Sequence, residues 1–181
     1  MRDFIVFDIE TKNTLAEVGR DNFNDLQVSV VGLFSYAQDK YLSFDEFELS
    51  ACSDLLRDAC IVGFSITRFD IPVLNKHCNF NLYSVPRIDL LDDIELQLGR
   101  RISLDLLAKV NLGMSKTHHS LEAPIMYREG RLDELAEYCL HDVRITKELY
   151  DLARSQGYLY VPQWGTDELE QAFFNFEAMQ N

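Results

Sequence analysis

Phe4-Ile5-Val6-Phe7-Asp8-Ile9-Glu10-Thr11 starts as an unbroken apolar run and ends in two carboxylates. A continuous apolar run of this length reads as a strand buried on both faces. Asp8 and Glu10 lie two positions apart, so both project from the same face of the sheet. Open α/β sheets place their sites at strand ends. An ionised carboxylate taken out of water costs on the order of several kcal/mol unless a cation stands beside it. The other reading of this stretch, two solvated acids on an edge strand, sits poorly with the apolar run before them.

Outward from this strand, residues 12–27 are polar and read as a loop or short irregular insertion. Residues 28–36 and 40–44 are β-rich and separated by a short polar turn, which predicts a hairpin. A helix is expected over 48–59, a buried strand over 60–64, and a helix start over 69–77 with Pro72 in its first turn. Two further helical stretches are expected over 88–98 and 103–112, the second with Ser103 as N-cap. A long helix follows over about 132–153. There is no internal repeat and no linker, so the 181 residues read as one α/β domain. Its core spans about residues 3–160, with an acidic amphipathic segment at about 161–181.

Composition narrows the function classes. Thirty acidic residues against 17 basic ones give a formal net charge of −13, which excludes a generic basic nucleic-acid coat or a polybasic membrane binder. It leaves room for an enzyme that meets phosphate through metal ions. The charge is uneven. Residues 1–60 carry 5 basic and 12 acidic side chains, residues 148–181 carry 1 and 6, and residues 61–147 carry 11 and 12. A phosphate-bearing ligand would favour the middle. No apolar run approaches the roughly 20 residues of a membrane span, and the N-terminus is not built like a signal peptide. Cys52, Cys60, Cys78 and Cys139 are too widely spaced for a Cys-x-x-Cys motif. A reduced, cytoplasmic protein is expected.

Two more acids stand where core residues belong. In the long helix, Leu132, Leu135, Ala136, Cys139, Val143 and Tyr150 form one apolar stripe. Asp142 falls at its border, with Tyr138 one turn earlier on the same face. A Tyr–Asp hydrogen bond closing the helix onto the sheet would also account for that pair. Asp70, in Phe69-Asp70-Ile71-Pro72-Val73-Leu74, taken alone reads as a helix N-cap.

Together these pieces resemble the DEDD superfamily of 3′–5′ exonucleases. Its first motif is Asp-x-Glu on a strand, matched by Asp8 and Glu10. The second ends in Phe-Asp before an apolar helix, matched by Phe69 and Asp70. The third is Tyr-x-x-x-Asp, matched by Tyr138 and Asp142. The tyrosine subtype fits best, as in the proofreading domain of family-B DNA polymerases and its stand-alone bacterial relatives. Ile88-Asp89-Leu90-Leu91, Ser103-Leu104-Asp105-Leu106-Leu107-Ala108, Gly113 and Lys116 resemble that branch too.

The resemblance implies an α/β, RNase H-like fold: a central mixed five-stranded sheet, its first three strands antiparallel, flanked by helices. It implies two divalent cations, Mg²⁺ or Mn²⁺, held by Asp8, Glu10, Asp70 and Asp142, with Tyr138 orienting the attacking water. The substrate would be the 3′ end of single-stranded nucleic acid, DNA ahead of RNA, released as nucleoside 5′-monophosphates. Thr11, Ser65, Arg68 and Phe69 are the expected substrate contacts. Ser65 is a departure, because the family usually carries Asn five residues before the second-motif Asp.

Two other classes compete. A nuclease fold kept as a binding or scaffolding module is one. A haloacid-dehalogenase-like phosphatase is the other, with Asp8 to Thr11 as its nucleophile loop and Asp92-Asp93 as its late acidic pair.

Overall fold

β1 (Phe4–Thr11) is the middle strand of a five-stranded sheet in the computed structural model, which describes residues 2–19, 22–114, 122–166 and 168–176. After it come a short helix α1 (Leu15–Val18), β2 (Val28–Ser35), β3 (Lys40–Asp45), α2 (Leu49–Leu56) and β4 (Cys60–Gly63). The chain continues through α3 (Asp70–Leu74), β5 (Arg87–Asp89), α4 (Leu90–Leu98), α5 (Leu104–Leu112), α6 (Ala123–Arg128), α7 (Leu132–Gln156), β6 (Tyr158–Pro162) and β7 (Leu169–Phe173). The sheet order is β3-β2-β1-β4-β5, and β6 and β7 form a separate hairpin. β1, β2 and β3 pair antiparallel, whereas β4 and β5 join in parallel, so the sheet is mixed as expected. The crossover that a parallel β1–β4 pair requires contains α2.

The alternation of β1 decides what each face receives. Ile5, Phe7 and Ile9 enter one core with Leu26, Leu56, Ile71 and Leu74, on the side of α2 and α3. Val6 enters the other, with Val143, Leu149 and Tyr150 of α7. Asp8 and Glu10 share the parity of Val6, so the strand delivers both carboxylates to the face covered by α7. α7 can lie close there because β2 has Gly32 directly opposite Asp8. A Cβ on Gly32 would stand 3.0 Å from Cys139 Sγ and 3.2 Å from Val143 Cγ2.

Several local expectations change. Residues 87–89 are a strand and the helix starts at Leu90, because Asp89 caps it by accepting from the amides of Leu91 and Asp92. The polar stretch 12–27 contains α1, fixed by a capping box between Thr14 and Glu17, and a 3-10 turn at Phe23–Asp25. α6 and the β6–β7 hairpin were not anticipated. Leu132, placed in the apolar stripe, is exposed, since it lies in the first turn of α7 before the helix reaches the core. The four cysteines are free thiols. Among the described residues no helix is long and apolar enough to cross a membrane. Lys116 lies outside the described residues.

Candidate active site

One cleft, of about 520 Å³, collects residues from β1, the β4–α3 loop, α3 and α7. Asp8, Glu10, Asp70, Tyr138 and Asp142 all line it, as do Thr11, Ser65 and Phe69. Asp8, Glu10 and Asp142 each present a carboxylate oxygen within 4.8 Å of the others'. This is the only such group of possible ligands among the described residues. Two come from the end of a strand, and the third comes from a helix 132 or more residues later in the chain.

Asp70 enters differently. It is the first residue of α3 rather than its cap, and the cap position, Phe69, makes no side-chain capping bond. The Asp70 carboxylate instead accepts from the Ile9 amide at 3.0 Å, which ties α3 to the strand between Asp8 and Glu10. Asp70 thus shares the cleft but lies outside the tight three-acid group. Its burial, opposed by that amide and reinforced by the charges of Asp89 and Asp142, raises its pKa to about 7. Asp142 is equally inaccessible, at 3% exposed against 4% for Asp70. Buried carboxylates this close together favour either a shared proton or a cation.

The remaining donors decide which cation suits them. Cys139 Sγ lies 3.7 Å from an Asp8 carboxylate oxygen and 3.4 Å from its carbonyl. Burial, then the charges of Asp8 and Glu10, push this thiol well above its ordinary value, so it is no thiolate ligand. An all-oxygen set fits the hard ions Mg²⁺ and Mn²⁺ rather than zinc. The phenol of Tyr138 is likewise pushed far up, by burial first and then by Glu10, Asp142 and Asp8. At neutral pH this favours the protonated hydroxyl, which has a proton to donate.

The expected substrate contacts divide. Thr11 is buried, and its hydroxyl donates to the Asn13 carbonyl at 2.7 Å, so it shapes the turn after β1. Phe69 packs edge-on against Phe23 while lining the cleft. Arg68 does not line the cleft. Its guanidinium bonds Glu95 at 2.7 Å and approaches Asp92 at 3.7 Å on α4. The late acidic pair of the phosphatase reading, Asp92 and Asp93, is on α4 and lines no part of the cleft.

Ser65 has a left-handed backbone, φ 67°, which is strained for a residue with a side chain. Asp89 and Arg101 hold it there. Asp89 accepts from the amides of Ser65 at 2.7 Å and Thr67 at 2.9 Å, and Arg101 donates to the Ser65 hydroxyl at 2.7 Å. With the hydroxyl oxygen accepting from Arg101, its own proton is left to donate. Sequence reasoning placed Asp89 only in a family-like segment and missed Arg101. An acid immediately before an apolar helical run is a cap signal, and it could have marked Asp89 as the end of a strand.

The chain matches the family model of the RNase H superfamily over residues 5–154. A search of curated proteins found no match. Among solved structures, it is similar to the family B DNA polymerase from the hyperthermophilic archaeon Pyrobaculum calidifontis. The TM-score is 0.65 at 18% identity, over 85% of this chain and 25% of that one. It is also similar to E. coli exonuclease I in complex with a dT13 oligonucleotide. There the TM-score is 0.57 at 15% identity, over 86% of this chain and 42% of that one. This chain therefore spans less than half the length of either protein, and at these identities the likeness is one of fold. The superfamily match leaves no place for the phosphatase reading. Residues 5–154 span the strand, the loop and the helix that build the acidic cleft, and on that match the chain belongs to the RNase H superfamily.

Proposed function

We propose that this protein is a metal-dependent 3′–5′ exonuclease of the tyrosine subtype that trims single-stranded nucleic acid, DNA ahead of RNA, to nucleoside 5′-monophosphates. The observation that carries this is the three-carboxylate group of Asp8, Glu10 and Asp142, with Asp70 and Tyr138 in the same cleft. Support comes from the superfamily match and from the two neighbours in fold, one of them bound to an oligonucleotide. On this reading the 181 residues act as one exonuclease domain in a reducing, cytoplasmic setting, to which free thiols are suited.

Asp8, Glu10 and Asp142 would hold divalent cations, with Asp70 completing the set. Such ions, when bound, supply an activated water and neutralise the leaving 3′ oxygen. The chain does the rest. Tyr138 holds the attacking water through its protonated phenol, and Ser65, fixed by Asp89 and Arg101, donates its hydroxyl proton towards the strand. Phe69 offers an apolar face against a terminal base. The bound cations also explain how a chain of charge −13 receives a phosphodiester.

The reading that keeps the fold as a binding module is less favoured, since all four acids remain in the cleft. Single strands labelled at either end, incubated with Mn²⁺, separate the two readings. Successive shortening from the 3′ end with release of mononucleotides is the expected result. Shortening from the 5′ end, cutting inside a closed circle, or no cutting overturns the proposal.

A further inference from the structure

A second pocket, about 310 Å³, lies between β2, β3 and the first turns of α7, and shares no lining residue with the acidic cleft. That volume is near the lower end of the roughly 300–1,000 Å³ seen for ligand sites. Its charge has one sign. Asp45, Glu46 and Glu48 line it from the end of β3 onward, and Asp133 lines it from α7. Glu46 is occupied, bonded to Lys12 and accepting from the Tyr127 hydroxyl at 2.6 Å. Asp45 and Glu48 accept only from nearby backbone amides, and no Lys or Arg among the described residues pairs with Asp45, Glu48 or Asp133.

An independent feature points into the same space. In the β1–β2 ladder Glu10 pairs with Val30 and Thr11 pairs with Val28, so Ser29 is the extra residue of a β-bulge. Bulges re-aim side chains. Val28 joins the core on the α2 and α3 side, whereas Val30 packs with Leu135 and Tyr138 beneath α7. The bulge lets Ser29 line the pocket beside Val30. Ser29 is 4% exposed, and its hydroxyl has no hydrogen-bond partner. A buried hydroxyl without a partner is rare and lacks a group that would satisfy it.

We propose that this pocket is a docking site for an arginine side chain presented by a partner protein. The carboxylates do not converge as metal ligands do, since the acids of the cleft are the only close group among the described residues. Spread acids around a deep hydroxyl acceptor instead match a planar guanidinium with several donors. The rim carries Phe47, 86% exposed, and Leu132, 53% exposed, which offer an aromatic face to the guanidinium and an apolar wall to its methylene stem.

The test uses the full chain, ¹⁵N-labelled, titrated with N-acetyl-arginine amide and with its uncharged citrulline counterpart. Saturable shifts centred on Ser29, Asp45, Glu48 and Asp133 are expected with arginine and not with citrulline. The double variant Asp45→Asn/Asp133→Asn should bind about tenfold more weakly, the loss two rim ion pairs would give. Ser29→Ala should weaken binding as well. If the double variant loses its dispersed spectrum, Glu48→Gln takes its place. Unchanged affinity in a folded variant, equal binding of citrulline, or shifts scattered over the acidic surface without saturation overturns the proposal. So do shifts of these amides on adding Mg²⁺ alone, or on concentrating the protein alone, which would assign the pocket to an ion or to a second copy. None of these outcomes depends on nuclease activity.

Discussion

The Asp70 carboxylate and the Ile9 amide, 61 positions apart, meet at 3.0 Å and join the start of α3 to the strand residue between Asp8 and Glu10. One acid therefore braces the strand that presents two others. Asp70→Asn keeps an oxygen for the Ile9 amide and removes the charge. Burial disfavours that charge in the folded state, so at about pH 8 the metal-free variant should be more stable than the parent, by about 1–3 kcal/mol. With saturating Mn²⁺ the order should reverse, because the cation stabilises only a complete site. Urea unfolding with chelator and with Mn²⁺ measures both. A variant less stable than the parent in chelator would mean that the charge itself holds the fold.

Gly32 faces α7 from directly across Asp8, and it permits the close approach that brings Asp142 to the strand. Gly32→Ala would press on Cys139 and Val143, both fully buried, as well as on Leu140. Overpacking of this kind costs about 1–3 kcal/mol, and a helix moved by about 1 Å separates the carboxylates. We expect a lower unfolding midpoint together with weaker Mn²⁺ binding. Loss of stability with unchanged Mn²⁺ affinity would show that α7 absorbs the strain without moving Asp142.

How much of this was legible in sequence follows from which signals are local. The four acids and the one phenol of the cleft each stood as a polar group inside or beside an apolar pattern, and the alternation of β1 alone set Asp8 and Glu10 on one face. The Asp70–Ile9 bond was not legible, because an acid beside an apolar turn looks like a cap from sequence. Nor was Arg101, whose bond to Ser65 spans 36 positions. The helix expected from residue 88 begins at Leu90, because a three-residue buried strand running into an apolar helix shows no change of period. The bulge at Ser29 arises from a register shift between strands, which one strand's sequence does not carry.

Tyr36 and Asp151 give a pH dependence with a definite sign. The Tyr36 hydroxyl donates to the Asp151 carboxylate at 2.7 Å, and its pKa is raised by burial first and by this bond second. The unfolded phenol titrates near 10. The folded chain holds the proton longer, so the contribution is complete below about pH 10 and is lost as pH rises further. Tyr36→Phe should cost about 1–2 kcal/mol at neutral pH, and the gap to the parent should narrow above about pH 10. Urea unfolding at about pH 8 and about pH 11 reads this out. A gap that is constant or widening would mean that Tyr36 acts by packing alone.

On the proposed function, Tyr138 is where holding a metal can be separated from using it. Its ring is buried among Val30, Leu135 and Cys139, so removing the hydroxyl alone leaves that packing in place. Burial first, and then the charges of Glu10, Asp142 and Asp8, push its phenol well above the ordinary value, which favours a protonated hydroxyl. On the proposed mechanism it would supply one directed hydrogen bond to the attacking water. Tyr138→Phe should then bind Mn²⁺ and single strands as the parent does, with turnover about 10²-fold lower, as expected when orientation of the attacking group is lost. Mn²⁺ titration, oligonucleotide binding in Ca²⁺, and 3′-end trimming in Mn²⁺ make the comparison on one preparation. A variant that trims at the parental rate would make Tyr138 a packing residue and would remove the mechanistic support for the tyrosine subtype. A variant that loses Mn²⁺ as well would place the phenol among the groups that hold the acids together.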